Sequence, residues 1–295
     1  MTIHDRTRPI LVGVDGSASA IAATRWAAAE AARHKMPLHI VNVYTWPVSG
    51  YPEALIAGHD LLASMKNASA VILDEARTAA ESAAPEVAVS VTSHGGDTVA
   101  YLRSLSKKSS LLVVGSRGLG GFSGLLLGSV AVGIAAHTEC PVIVVRGEPN
   151  EGPVVVGVDG SPVSEAAIAF AFEEASALGA DLVAVHAWHD SPLVDVFEKG
   201  YASLYLDTAA VDAEELLAQR LAGWQEKHPD VSVTRVAPRG RAAKVLMDYA
   251  QGARLLVIGS RGRGGFTGLT LGSTSQALIH HAPCPVAVLR SPEDH

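Results

Sequence analysis

A duplication constrains the fold of this chain more than any other feature of its sequence. The segment Ile10–Ser17, ILVGVDGS, returns as VVVGVDGS at Val154–Ser161, 144 positions later. The same offset carries Gly115–Gly118 onto Gly259–Gly262. Because only two copies of this period fit into 295 residues, the sequence predicts two tandem domains and excludes a solenoid of many short repeats.

The residues between the two copies predict where the domains meet. Residues 148–152 contain Glu, Pro, Asn and Gly, which is typical of a linker. We therefore predict a first domain at residues 1–147, a linker at 148–152 and a second domain at 153–295.

Short β-branched runs alternate with longer amphipathic stretches in each copy. In the first copy this pattern predicts strands at Ile10–Val14, Leu38–Val43, Val87–Thr92, Leu111–Val114 and Val142–Val145, with helices near residues 19–34, 61–83, 98–107 and 129–137. Such alternation is typical of a parallel sheet covered by helices on both faces. We predict an α/β chain of two tandem, doubly wound, three-layer α/β/α domains, each with a five-stranded, mainly parallel sheet.

The charge and cysteine content of the chain exclude several classes of protein. Its formal net charge is −7, whereas proteins that bind nucleic acid or anionic membranes need basic surfaces. No apolar stretch approaches membrane-spanning length, and the first residues lack the apolar core of a signal peptide. Two cysteines are too few for a disulfide framework. We expect a cytoplasmic protein with no nucleic-acid or membrane partner.

A glycine-rich segment follows the fourth predicted strand of each copy. In the first copy it reads Gly115-x-x-Gly118, nine residues, then Gly128-Ser129. Accessible backbone amides, a helix N-terminus and a serine hydroxyl all bind phosphate, although a tight turn without a ligand would use the same glycines. The second copy repeats the spacing with Gly259, Gly262, Gly272 and Ser273. This repetition favours phosphate binding.

Two other nucleotide-binding motifs are absent from the sequence. No segment matches G-x-x-x-x-G-K-[ST], so the sequence does not support a P-loop NTPase with its phosphate-binding lysine. The run Gly118–Gly124 misses G-x-G-x-x-G because Ser123 stands at the position of the third glycine, and it follows the fourth strand instead of the first. The sequence therefore argues against a dinucleotide-binding domain.

Asp15 and Asp159 end the first strand of their copies. At the carboxyl edge of a parallel sheet, a carboxylate can accept hydrogen bonds from a ribose or help hold a metal beside phosphates. Either aspartate could instead cap the following helix, and Ser17 is an equally able cap. The sequence leaves these alternatives open.

Further polar residues have two interpretations each. Arg117 and Arg261 could pair with phosphate or could be solvated surface arginines. The His-x-x-Cys segments that contain Cys140 and Cys284 have a spacing that a metal could use, but each offers only two ligands. We expect no zinc site and predict that both cysteines are small core residues.

The VGVDGS opening, the glycine segment and the CPV at the start of each last strand together resemble the universal stress protein family in tandem form. The resemblance covers nearly the whole chain and implies the fold shared with adenine-nucleotide α-hydrolases. It also implies one ATP site per domain, with the opening aspartate beside the ribose, the end of the second strand against adenine and the glycine segment on the phosphates.

The resemblance carries the ATP-binding positions onto both copies. In the first they are Gly13, Asp15, Val43, Gly115, Ser116, Arg117, Gly118, Leu119, Gly120, Gly121, Gly128, Ser129 and Val130. In the second they are Gly157, Asp159, Ala187, Gly259, Ser260, Arg261, Gly262, Arg263, Gly264, Gly265, Gly272, Ser273 and Thr274. Two positions differ between the copies, with Ala187 in place of Val43 and Thr274 in place of Val130.

These observations predict a cytoplasmic ATP-binding regulatory or signalling protein of the stress response. We expect no catalytic residues, two ATP molecules with Mg²⁺ held only through their phosphates, and an unidentified protein partner that responds to ATP occupancy. The alternatives are a slow Mg-dependent ATPase or nucleotidyl-transfer enzyme that uses Asp15 and Asp159, and a scaffold that binds no nucleotide. Because the family tends to associate through its final strand, the resemblance also implies an internal pseudo-dimer and a homodimer.

Overall fold

The computed structural model of the chain describes residues 7–45, 58–119, 127–147, 150–188, 199–262 and 271–290. The chain divides into two units, Met1–Val145 (unit 1) and Arg146–His295 (unit 2). Within the described ranges, no helix is both long enough and apolar enough to cross a lipid bilayer.

Both units alternate strands and helices. Unit 1 contains β1 (Ile10–Val14), α1 (Ala18–His34), β2 (Leu38–Tyr44), α2 (Gly58–Ala83), β3 (Val89–Gly95), α3 (Thr98–Ser106), β4 (Leu111–Gly115), α4 (Ser129–His137) and β5 (Val142–Val145). Unit 2 contains β6 (Val154–Gly157), α5 (Pro162–Leu178), β7 (Leu182–Val185), α6 (Lys199–Leu221), α7 (Trp224–Lys227), β8 (Val233–Val236), α8 (Ala242–Tyr249), β9 (Leu255–Gly259), α9 (Ser273–His281) and β10 (Val286–Leu289).

The five strands of each unit are parallel. Their order is β3-β2-β1-β4-β5 in unit 1 and β8-β7-β6-β9-β10 in unit 2. Chain order therefore reverses between β1 and β4, and again between β6 and β9. Doubly wound sheets bind ligands beyond the carboxyl ends of their strands at such a reversal. The predicted fold class is confirmed, and its topology places the candidate site beside β1 and β4 in unit 1 and beside β6 and β9 in unit 2.

The central strands and the cysteines lie in the core. Val12, Val113 and Val156 have no solvent exposure, as expected for strands covered on both faces. Cys140 and Cys284 are buried free thiols, which confirms the prediction that they are core residues. Burial raises the pKa of each thiol to about 12, so neither is a nucleophile at neutral pH.

Strand β3 is displaced from its predicted position of Val87–Thr92 to Val89–Gly95. The amide of the first predicted residue instead donates to the carbonyl of Ala84, in the turn that follows α2. At the other end the strand continues past Thr92 through Ser93, His94 and Gly95, because it pairs with β2 as far as Tyr44. The pairing partner, and not hydrophobicity, sets where β3 ends.

The first helix of each unit begins and ends in the same way. Ser17 caps α1 by accepting a hydrogen bond from the amide of Ala20 at 3.1 Å, and Ser161 caps α5 in the same manner. Lys35 ends α1 in the left-handed conformation with φ 55°, where α5 ends at Gly179 with φ 58°. The turn between the first strand and the first helix is therefore fixed by a serine in both units.

Candidate functional site

Each unit contains a cavity at the carboxyl ends of its strands. The cavity has a volume of about 390 Å³ in unit 1 and about 270 Å³ in unit 2. In both units its walls come from the ends of the first two strands, the glycine segment after the fourth strand, the helix that follows it and the helix after the third strand. Both cavities lie where the strand order reverses.

Most of the predicted ATP-binding residues within the described ranges line these cavities. In unit 1 they are Gly13, Asp15, Val43, Gly115, Arg117, Gly118, Gly128, Ser129 and Val130. In unit 2 they are Gly157, Asp159, Ala187, Gly259, Arg261, Gly262, Gly272, Ser273 and Thr274. The predicted positions Gly120, Gly121, Arg263, Gly264 and Gly265 lie outside the described residues.

Three of the predicted positions do not line the cavities, namely Ser116, Leu119 and Ser260. Ser116 is buried; its amide donates to the carbonyl of Val145 at 3.1 Å and its carbonyl accepts from the amide of Gly128 at 2.9 Å. The backbone of Ser260 makes the corresponding bonds in unit 2. These serines therefore connect the two ends of the glycine segment to the last strand instead of facing the cavity.

Asp15 joins two turns at the edge of the cavity. Its Oδ1 accepts a hydrogen bond from the amide of Ser17 at 3.0 Å, and its Oδ2 accepts one from the amide of Leu119 at 2.8 Å. In unit 2, Oδ1 of Asp159 accepts from both the amide and the hydroxyl of Ser161, at 3.0 and 2.7 Å. Because the helix caps are the serines, the interpretation of these aspartates as helix caps is wrong.

Two serines hold the backbone of the glycine segment in unit 1. The hydroxyl of Ser17 donates to the carbonyl of Arg117 at 3.2 Å, and the hydroxyl oxygen of Ser19 accepts from the amide of Arg117 at 3.3 Å. The turn after β1 and the first turn of α1 therefore hold the backbone of Arg117, which lines the cavity.

The helices that follow the glycine segments begin at the cavities with a glycine as N-cap, which makes no side-chain hydrogen bond to the first amides. Gly128 precedes α4 and Gly272 precedes α9, and both glycines line their cavities. The first amides of a helix have no partner within the helix and carry partial positive charge. Each cavity therefore has a wall suited to binding an anion.

The second glycine of each segment allows close approach to the aspartate. A Cβ atom added to Gly118 would collide with Oδ2 of Asp15, and one added to Gly262 would lie 2.6 Å from Oδ2 of Asp159. A Cβ atom on Gly128 would meet no atom closer than 3.8 Å. The spacing of the motif thus reflects a contact between the segment and the first strand.

Sequence reasoning missed the wall contributed by the helix after the third strand. Thr98 and Leu102 on α3 line the cavity of unit 1, and Ala242 and Leu246 on α8 line that of unit 2. A Cβ atom on Gly13 would lie 3.1 Å from Leu102, so the glycine of VGVDGS makes room for this helix. That glycine was the signal, because it implies a neighbour packed against the strand backbone.

Comparisons with known proteins match both halves of the chain to one family. A model of the universal stress protein family matches residues 6–146 and 152–290. Universal stress protein Rv2005c of Mycobacterium tuberculosis is 40% identical over 294 residues, covering 95% of this chain and 96% of the relative. Universal stress protein Rv1996 of the same organism is 37% identical over 314 residues, covering 100% of this chain and 98% of the relative.

The fold also matches a solved structure along the whole chain. The crystal structure of a universal stress protein from Archaeoglobus fulgidus aligns with a TM-score of 0.67 and 20% sequence identity. The alignment covers 99% of this chain and 100% of that chain. At this identity the match shows that the fold is shared.

Proposed function

This chain belongs to the universal stress protein family, and we propose that it is a nucleotide-dependent regulatory protein that binds one ATP in the cavity of each unit. The observation that carries the proposal is the uncapped start of α4 and α9 at a cavity that the glycine segment also lines. An anionic group is the ligand that such a wall favours, and a triphosphate supplies one.

The remaining walls of the unit 1 cavity suit the other parts of a nucleotide. Val41 and Val43 offer an apolar surface to a base, and Asp15 offers carboxylate oxygens that could accept from a ribose hydroxyl. The guanidinium of Arg117 can neutralise phosphate charge. Mg²⁺ would be held through the phosphates, and it would supply charge neutralisation there when bound.

We propose that the protein signals through occupancy and is not an enzyme. The candidate catalytic group, Asp15, already accepts backbone amides at both of its oxygens, which suits a structural role better than that of a mobile base. Slow ATP turnover, the alternative function, would use the remaining lone pairs of this carboxylate to help hold Mg²⁺ beside the phosphates.

We also propose where the protein acts in the cell and how it assembles. We place the protein in the cytoplasm, as a homodimer with a protein partner that responds to ATP occupancy. The acidic net charge of −7 and two buried, reduced thiols support an intracellular setting without nucleic-acid partners. Light scattering after size-exclusion chromatography tests the dimer, and a monomeric mass would remove that part of the proposal.

Calorimetric titration of ligand-free protein with Mg–ATP tests the main proposal. We expect two molecules of ATP per chain, reduced to one by Val130→Trp or by Thr274→Trp, because an indole at either position fills the cavity. Val71→Trp is the matched control, because Val71 is 68% exposed on α2, outside the cavity. Absence of binding heat at millimolar ATP would refute the proposal. Steady phosphate release from the same sample would favour the enzyme.

A further inference from the structure

We infer that the two cavities are unequal, and that the unit 1 cavity binds adenine nucleotide about fourfold more tightly than the unit 2 cavity. The two sites would then fill in sequence as the nucleotide concentration rises, which gives one chain two thresholds. This inference rests on the proposed function, because it concerns the regulation of the same sites.

The first basis is the chemistry of matched wall positions. Val43 in unit 1 corresponds to Ala187 in unit 2, and Val130 corresponds to Thr274. A heterocyclic base gains affinity from apolar contact, so unit 2 loses two carbon atoms at one position and exchanges a methyl for a hydroxyl at the other. The change at Ala187 weakens contact with a base. Thr274 lies in the first turn of α9, the wall suited to an anion, so its hydroxyl does not weaken contact with a base.

The additional hydroxyls that line the unit 2 cavity form hydrogen bonds with the protein backbone. Ser164 stands where unit 1 has Ala20, and its oxygen accepts a hydrogen bond from the amide of Asp159 at 3.2 Å. Ser275 stands where unit 1 has Ala131, and its hydroxyl donates to the carbonyl of Gly259 at 2.7 Å. These hydroxyls stabilise the cavity wall, so they compensate little for the lost apolar contact.

The second basis is the anchoring of the glycine segment. In unit 1 the hydroxyl oxygen of Ser19 accepts the amide of Arg117. The corresponding residue of unit 2 is Val163, which has no polar side-chain atom and lies against Gly259 instead. Unit 1 therefore has a hydroxyl anchor at this position where unit 2 has an apolar contact, and an anchored backbone loses less entropy when it binds a ligand.

Two differences act in the opposite direction. Ile258 lines the unit 2 cavity where unit 1 has the smaller Val114, which returns one carbon atom of apolar contact. The other difference is a charge. Asp97 precedes the cavity-lining Thr98 in unit 1, whereas Arg241 precedes Ala242 in unit 2. The arginine would attract phosphate more strongly. Because both side chains are exposed, solvent and salt screen this effect, and we expect it to be smaller than the apolar difference.

The expected magnitude follows from the apolar contact. A fully buried methylene group contributes roughly fourfold in affinity, so two half-covered carbons at position 43 also contribute roughly fourfold. The missing anchor at Val163 adds to this difference, whereas the extra carbon atom of Ile258 and the charge of Arg241 oppose it. A net ratio of about fourfold is expected.

Single-site proteins test the inference. Thr274→Trp leaves only the unit 1 site and Val130→Trp leaves only the unit 2 site, and both are titrated calorimetrically with Mg–ATP. We expect a Kd about fourfold lower for the unit 1 site. Adding Val43→Ala to the unit 1 protein should raise its Kd about fourfold. Adding Ala187→Val to the unit 2 protein should lower its Kd by a similar factor. Val71→Ala, on the exposed face of α2, is the matched control and should change neither value.

The outcomes separate the inference from the proposed function. Equal affinities within twofold, or tighter binding at unit 2, would overturn the inference while two ATP sites remain. No binding at either site in the unmodified chain would overturn both. If a tryptophan variant fails to fold, the isotherm of the unmodified chain decides, because two unequal sites are expected and two equal sites would overturn the inference.

Discussion

Replacing Gly118 with alanine isolates the contact between the glycine segment and the first strand of unit 1. The added methyl would occupy space held by Oδ2 of Asp15. That oxygen accepts the amide of Leu119 at 2.8 Å, so the carboxylate must rotate and release this bond. The backbone of Gly118 lies outside the left-handed region, which leaves the side-chain contact as the main source of the effect.

The magnitude follows from the bond that is lost. Hydrogen bonds to charged groups contribute about 1.5–3 kcal/mol when buried. The bond between Leu119 and Asp15 is exposed to solvent, so we expect it to contribute about 1 kcal/mol. A loss of this size corresponds to about a fivefold change in the local opening equilibrium.

Hydrogen exchange followed by NMR measures that equilibrium at a single amide. The exchange rate of the Leu119 amide should rise about fivefold in Gly118→Ala, in protein without nucleotide. The free energy of global unfolding in urea should fall by no more than about 1 kcal/mol, because the bond lies outside the core.

Two further variants provide the control. Gly128→Ala places a methyl no closer than 3.8 Å to any atom, so the Leu119 amide should exchange at its original rate. In an Asp15→Ala background the acceptor is gone, and Gly118→Ala should then have no further effect on exchange. Equal effects of the two glycine replacements, or an undiminished effect without the carboxylate, would refute this account of the motif.

Three other results are expected. Because burial raises the pKa of Cys140 and Cys284 to about 12, iodoacetamide at pH 8 should leave native protein unmodified by intact-mass spectrometry, and rapid labelling would contradict the buried positions. Asp97→Ala removes the bond that caps α3, from the amide of Ala100 at 2.7 Å, and should lower the free energy of unfolding in urea by about 1 kcal/mol, whereas Asp97→Asn should lower it much less. Burial lowers the pKa of His39 below 6.5, so the unfolded chain binds its proton more readily; stability should therefore decrease as the pH falls below 6.5, and His39→Gln should flatten that decrease. An unchanged pH profile in the variant would assign the decrease to other groups.

Elements bounded by turn residues were predictable from the sequence. The predicted bounds of β1, β5 and α4 agree with the structure, because a polar residue, namely Asp15, Arg146 or Thr138, ends the apolar run of each. The end of β3 was not predictable from its own residues. Its last positions are polar and become strand only through pairing with β2, which is a tertiary contact.

The residues of the candidate site also fall into a predictable group and an unpredictable group. Motif spacing predicted the glycines and aspartates that line the cavities, because these residues are placed by strand ends and helix starts. Ser116 lies inside the motif but is directed into the core by its backbone bonds to the last strand. Thr98 and Leu102 belong to no motif. They line the cavity because α3 packs beside it, and this tertiary contact cannot be read from their own sequence.

The constant offset of 144 positions between the two units has a practical consequence. Every substitution in one unit leaves an unaltered counterpart in the same polypeptide, exposed to the same buffer, concentration and sample history. Errors in protein quantity therefore cancel when the two halves are compared within one titration or one spectrum. A duplicated gene has in this way supplied a built-in reference for each half.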